Sequence, residues 1–241
     1  MSSSTGRRAP WLVPVLIVVV AALLVAASVL VSGRGRDTAD DAGAGATPAA
    51  DVVMPEEPPQ LDLARRETGD PLATGPVDAP VSLVVYSDYQ CQFCAAWSAD
   101  TSARMLEYAA AGDLRIEFRD IAIFGEESER AARAAYAAGL QGRYLDYQAT
   151  LFPEGTNLPP RGLRDPELVA KAEELGLDVD RFTADLGSAE VAAAVQRNVD
   201  EAAAIGAFST PAFLLDGRPL IGAQPTEVFV GAVEQALAEA R

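Results

Sequence analysis

Asp88–Trp97 reads DYQCQFCAAW, and it holds Cys91 and Cys94, the two cysteines of a 241-residue chain. Just upstream, Val81–Ser87 (VSLVVYS) is a β-branched apolar run of the length of a buried strand. Downstream, residues 92–111 predict a helix that ends at Gly112. Cys91 therefore falls where a strand turns into a helix. Unpaired N–H groups and the helix dipole favour an anion there, and such a setting can lower a thiol from about 8.5 to between about 3.5 and 7.5. Cys94 lies one turn later on the same face, within disulfide reach. One thiol can attack and the other can resolve. Two plainer readings compete. An inert disulfide across so short a loop removes little unfolded-state entropy. A structural zinc site needs four ligands, and the chain has no histidine and no further cysteine. The strand-to-helix setting favours redox work over both.

Composition narrows the field further. The absence of histidine removes Ser-His-Asp and Cys-His hydrolases together with His-bearing metal sites. Charge is lopsided: from residue 37 onward 15 basic residues stand against 35 acidic ones, a net of −20. Such a surface repels phosphate backbones, so no nucleic-acid partner is expected.

Trp11–Val31 is 21 residues without a charge. As a helix it would span roughly 30 Å, the thickness of a bilayer's hydrocarbon core. The expected organisation is a cytoplasmic tail over 1–10, a single transmembrane helix over 11–32 and a flexible, disordered linker over 33–60, rich in Gly, Ala, Asp and Pro. A folded domain occupies 61–241. Arg7 and Arg8 on one flank nearly balance Arg34 and Arg36 on the other, so charge orients the span only weakly. Cysteine chemistry breaks the tie, because disulfides persist outside the cytoplasm.

Within the domain, LRIEFRDIAI (114–123) alternates and predicts a second strand. Residues 126–206 predict four or five helices, interrupted by FPEGTNLPPRG (152–162), Gly176 and Gly187. Asp165-Pro166 suits a helix start, with Asp as cap. PAFLLDGRPLIG (211–222) predicts two short strands about an Asp216-Gly217 turn, and 225–240 a closing helix. The order β-α-β, helical block, hairpin, helix makes an α/β fold whose sheet is covered on both faces. Thr210-Pro211 opens the hairpin. An X-Pro bond can be cis, which would set Thr210 against the thiols with its backbone free for an extended substrate; a trans proline at an edge is the plainer alternative.

Three segments together, DAPVSLVVYSDYQCQFCAAW (78–97), AARAAYAAGLQGRYLDYQATLF (131–152) and GAFSTPAFLLDGRPLIGAQP (206–225), closely resemble the DsbA-like branch of the thioredoxin superfamily, in particular its membrane-anchored bacterial members. The resemblance covers about residues 61–241. It implies a thioredoxin fold with a helical insertion at about 126–206, Cys91 as nucleophile, Cys94 as resolving thiol, and Thr210-Pro211 as a cis-proline loop. It implies thiol–disulfide exchange on reduced exported proteins, usually as an oxidant, by an extracytoplasmic domain held at the cell membrane and reoxidised by a quinone-linked membrane partner. Neither a cofactor nor a metal is called for. Substrate contact is expected at Thr210, Pro211, Gln92 and Phe93. Three departures bear on strength and mechanism. Gln92 stands where relatives often carry Pro. Phe93 stands where the strongest oxidants carry His, and without an imidazolium the Cys91 thiolate should be less stabilised and the protein a milder oxidant. Val85 stands where superfamily members often have a buried acid. Asp88 is a candidate to move the Cys94 proton, against its reading as a turn or capping acid. The alternatives are a disulfide reductase or isomerase, or a non-catalytic tethered module that binds through its helical insertion.

Overall fold

In a computed structural model the described residues are 60–241. The tail, the anchor over 11–32 and the linker up to residue 59 lie outside them. Five strands form one sheet in the order β1-β3-β2-β4-β5: β1 is Ala73–Thr74, β2 Val81–Ser87, β3 Leu114–Asp120, β4 Ala212–Leu215 and β5 Arg218–Ile221. β2 and β3 are parallel, with Val81 opposite Leu114 and Ser87 opposite Asp120. β4 runs antiparallel to β2, pairing Leu83 with Leu215 and Tyr86 with Ala212. The helices are α1 Gln92–Asp100, α2 Ser102–Ala111, α3 Glu126–Gly139, α4 Tyr144–Leu151, α5 Asp165–Glu174, α6 Val179–Leu186, α7 Ala189–Ala204 and α8 Thr226–Glu239.

The alternation along the strands sorts the core into two faces. Val81, Leu83, Val85, Leu114, Ile116 and Phe118 join one cluster with Phe213, Phe229 and the alanines of α3. Six of those alanines, between Ala131 and Ala138, are fully buried. Their small side chains let α3 pack closely, and at Gly139 a Cβ would stand 2.6 Å from the Pro71 carbonyl oxygen. On the opposite face Val84, Tyr86 and Leu214 meet Ala202 of α7 and the segment around Leu61 and Leu63. The second face is sealed by polar chemistry as well. Glu117, wholly buried, accepts the main-chain N–H groups of Arg65 at 2.8 Å and Arg66 at 2.7 Å, and the Arg119 guanidinium at 2.6 Å. Leu61 is tied to the hairpin turn, its N–H donating to the Gly217 carbonyl at 2.8 Å.

Three sequence expectations are corrected. The helix expected over 92–111 is broken at Thr101 (φ −116°, ψ −33°), whose hydroxyl lies 2.9 Å from that of Thr226 at the head of α8. Gly112 does end the second piece, at φ 89°. The strand expected over 114–123 stops at Asp120, because the backbone N–H groups of Ile123 and Phe124 turn aside to the Asp88 carboxylate. Asp165 is the first helical residue rather than the cap; the extended Arg164 precedes it, and its carbonyl takes the N–H groups of Glu167 and Leu168, both at 3.0 Å. Strand β1 is two residues long and carries no sequence signal of its own.

Candidate active site

Cys91 caps α1. Its backbone is extended (φ −89°, ψ 112°), and its Sγ accepts the Cys94 N–H at 3.3 Å. The Thr210–Pro211 peptide bond is cis, and the Thr210 carbonyl oxygen lies 3.1 Å from the Cys91 sulfur. That contact serves the thiol, which donates to it. The contacts serving the thiolate outweigh it. The Cys94 thiol, the Thr210 side chain and the N–H groups of Cys94 and Phe93 hold Cys91 down to about 6, against the opposing effect of burial. The Thr210 hydroxyl is buried and makes no hydrogen bond among the described residues, so it is free to turn to the anion. Cys94 is pushed the other way, well above the usual thiol range, by burial first and then by the neighbouring Cys91. Two chemically alike groups one helical turn apart are thereby split into an acidic outer thiol and a reluctant inner one.

Cys91 is only 4 % exposed, at the floor of an open groove of about 670 Å³. Phe93, Phe124 and Phe208 stand 57 %, 54 % and 77 % exposed and line that groove with Gln92, Asn157 and Thr210. Gln92 and Phe93 therefore share the groove with Cys91. Trp97 does not: it is buried, its ring 4.9 Å from Phe213 and 5.9 Å from Phe229 between centroids, and it belongs to the core.

Asp88 takes the turn-and-cap role. Its carboxylate accepts the Gln90 N–H at 2.7 Å, the Ser128 hydroxyl at 2.6 Å, and the N–H groups of Ile123 at 2.8 Å and Phe124 at 3.3 Å. With both oxygens occupied it holds the 123–124 rim in place.

Sequence reasoning missed Asp120, which is wholly buried opposite Ser87. The signal was its place two residues after Phe118 on the core-facing alternation of β3. Burial pushes Asp120 up to about 7, the phenols of Tyr89 (2.9 Å) and Tyr144 (3.0 Å) pull it back by donating, and the Asp88 charge raises it again. An unfolded Asp titrates near 3.9, so between about pH 4 and 7 the unfolded chain has released this proton while the folded one keeps it. Stability from this group is therefore full below about pH 4 and falls as pH rises through about 7. Asp120→Asn should flatten that slope, leaving stability unchanged at pH 4 and raising it by about 2–4 kcal/mol at pH 8 in urea unfolding. Equal effects at both pH values would contradict it.

The family model described as Thioredoxin matches residues 67–235. The chain belongs to the thioredoxin family. Solved structures similar to this thioredoxin-family chain include a thioredoxin-like oxidoreductase from Silicibacter pomeroyi, 26 % identical, covering 70 % of this chain and 98 % of that one at a TM-score of 0.58. BdbD from Bacillus subtilis is 20 % identical, with 70 % and 94 % covered and a TM-score of 0.64. The thiol-disulfide exchange protein α-DsbA2 from Wolbachia pipientis is 20 % identical, with 68 % and 85 % covered and a TM-score of 0.59. The fold of this thioredoxin-family domain is thus that of DsbA-like thiol–disulfide oxidoreductases. Curated relatives include the Na(+)/H(+) antiporter NhaA of Herminiimonas arsenicoxydans, 35 % identical over 188 residues, 77 % of this chain but 28 % of that protein. NhaA 3 of Salinispora tropica is 30 % identical over 169 residues, 69 % and 25 % of the two chains. The chain spans about a quarter of the length of these curated relatives.

Proposed function

We propose that the chain is an extracytoplasmic thiol–disulfide oxidoreductase that forms disulfides in exported proteins. The observation that carries this is the arrangement of the two thiols: Cys91 caps α1 3.1 Å from the Thr210 carbonyl and is held near 6, while Cys94, buried one turn later, is held high. In the oxidising direction a client thiolate attacks Cys91 of the Cys91–Cys94 disulfide. A client–Cys91 disulfide forms, the Cys91–Cys94 bond breaks, and the electron pair leaves on Cys94, which takes up a proton. A second client thiolate then attacks the client sulfur of that bridge and expels Cys91 as thiolate. Two electrons pass from client to enzyme. A leaving thiol of low pKa leaves fast, so a Cys91 near 6 favours release of an oxidised client. Reoxidation requires an acceptor of two electrons, for which a quinone-linked membrane partner is the proposal.

The uncharged stretch over 11–32 would hold the domain at the membrane with its thiols outside. Likeness to part of proteins named as Na(+)/H(+) antiporters supports work beside a membrane. Ion exchange is not carried over, since about three quarters of those proteins has no counterpart here.

Cys94→Ala is the test. With the resolving thiol gone, Cys91 should accumulate mixed disulfides with exported proteins that dithiothreitol releases. A variant that collects none, while its Cys91 remains alkylatable, would leave a tethered binding module as the better description.

A further inference from the structure

The groove over Cys91 has two walls, and the proposed chemistry uses one of them. That wall is the loop ending in Thr210, whose backbone N–H donates no hydrogen bond among the described residues. The other wall comes from the helical insertion, in the segment after α4. Three contacts fix it against α1 and the turn that precedes it. Gly155 (φ 71°) approaches so closely that a Cβ there would lie 2.8 Å from that of Ala99. The Gln90 carboxamide donates to the Leu158 carbonyl at 3.2 Å. The Asn157 carboxamide nitrogen donates to the Tyr89 carbonyl at 2.8 Å.

Asn157 lines the groove over Cys91 and also the adjoining groove of about 540 Å³ on the far side of Phe93. It is anchored through its nitrogen, and its Oδ1 accepts no hydrogen bond among the described residues. One wall therefore offers a free main-chain donor and the other a pre-oriented acceptor, with the Cys91 sulfur between them. An extended polypeptide presents C=O and N–H groups in alternation along its length and satisfies both at once, whereas a folded segment has already spent those groups on its own structure.

We propose that Asn157 is a substrate-binding residue that accepts a main-chain N–H of the client close to its reacting cysteine. This rests on the oxidoreductase reading above. The fixed carboxamide gives up little freedom on binding, which is where pre-organisation contributes to affinity.

The test uses the oxidised full chain and a synthetic unfolded peptide with two cysteines flanked by phenylalanine. Each backbone amide within three residues of a cysteine is N-methylated in turn, and kcat/KM for peptide oxidation is measured. With the native chain one position should lose about 3–10-fold, the worth of a single hydrogen bond. In Asn157→Ala that penalty should fall to about one. Asn157→Asp, which keeps an acceptor but loses the bond to Tyr89, should retain it. Equal penalties in the native chain and Asn157→Ala would overturn the inference while leaving the redox reading intact. So would an Asp variant that behaves like Ala, since loop anchoring would then explain the effect. Failure of the native chain to oxidise the unmodified peptide overturns the redox reading and this inference with it.

Discussion

At pH 6 Cys91 should be alkylated by iodoacetamide about tenfold faster than free cysteine, and Cys91→Ser should abolish disulfide exchange altogether. Held near 6, Cys91 is about half thiolate at that pH. A free thiol near 8.5 is about 0.3 % thiolate, so the ratio of reactive species is roughly 150. Nucleophilicity falls with pKa by about 0.4–0.5 log units per unit, which takes back a little over tenfold. The pH profile has a distinctive sign. The Cys91 rate should climb through about pH 6 and level off, while the free thiol continues to rise to about 8.5 and overtakes it. A Cys91 rate that tracks the free thiol across that range would remove the basis for the enzyme reading. The serine variant keeps a hydroxyl at the cap of α1, so the helix should survive. Its loss of exchange then reports the sulfur and not the fold.

Glu117→Ala should cost about 3–5 kcal/mol in urea unfolding, the usual penalty for breaking a buried ion pair from one side. The carboxylate is fully buried and lies 2.6 Å from the Arg119 guanidinium, which is itself 1 % exposed. Arg119 would be left with Asp70 at 3.6 Å and Glu201 at 3.4 Å. The N–H groups of Arg65 and Arg66 would lose their acceptor, and the segment they belong to would lose its hold on the sheet. Burial alone would raise Glu117, but the Arg65 N–H, Arg119 and the Arg66 N–H outweigh it and hold the group below the ordinary carboxylate range. The stabilisation is therefore present above the unfolded value of about 4.3 and is lost as pH falls through the lower folded value. Because Glu117 faces away from Cys91 in the alternation of β3, the Cys91 titration should not move. A cost below about 1 kcal/mol would show that the network is neutral.

The same strand shows what could be read in advance and what could not. The alternation in LRIEFRD identifies a strand with a charged face, and β3 follows it. It does not reveal that Arg115, Glu117 and Arg119 are all buried, because the cover is the segment near Arg65, which has no periodicity. The thiols and the hairpin were legible because each depends on local chemistry, a helix head and an Asp-Gly turn; the cis form of Thr210-Pro211 was legible only through the family resemblance, since an X-Pro bond alone leaves cis and trans open. Thr101 was not, since its break answers to Thr226, which is 125 residues away. Asn157 sits in a stretch that reads only as an interruption between helices, and what gives it meaning is Tyr89, 68 residues earlier.

The tie between Leu61 and Gly217 fixes which end of the sheet the first described residues occupy. Gly217 lies at the end of β4 remote from Pro211, and Pro211 adjoins the reactive sulfur. Residues 60–61 therefore lie at the end of β4 away from the groove. A client chain can therefore enter the groove over Cys91 without meeting the segment at residues 60–61.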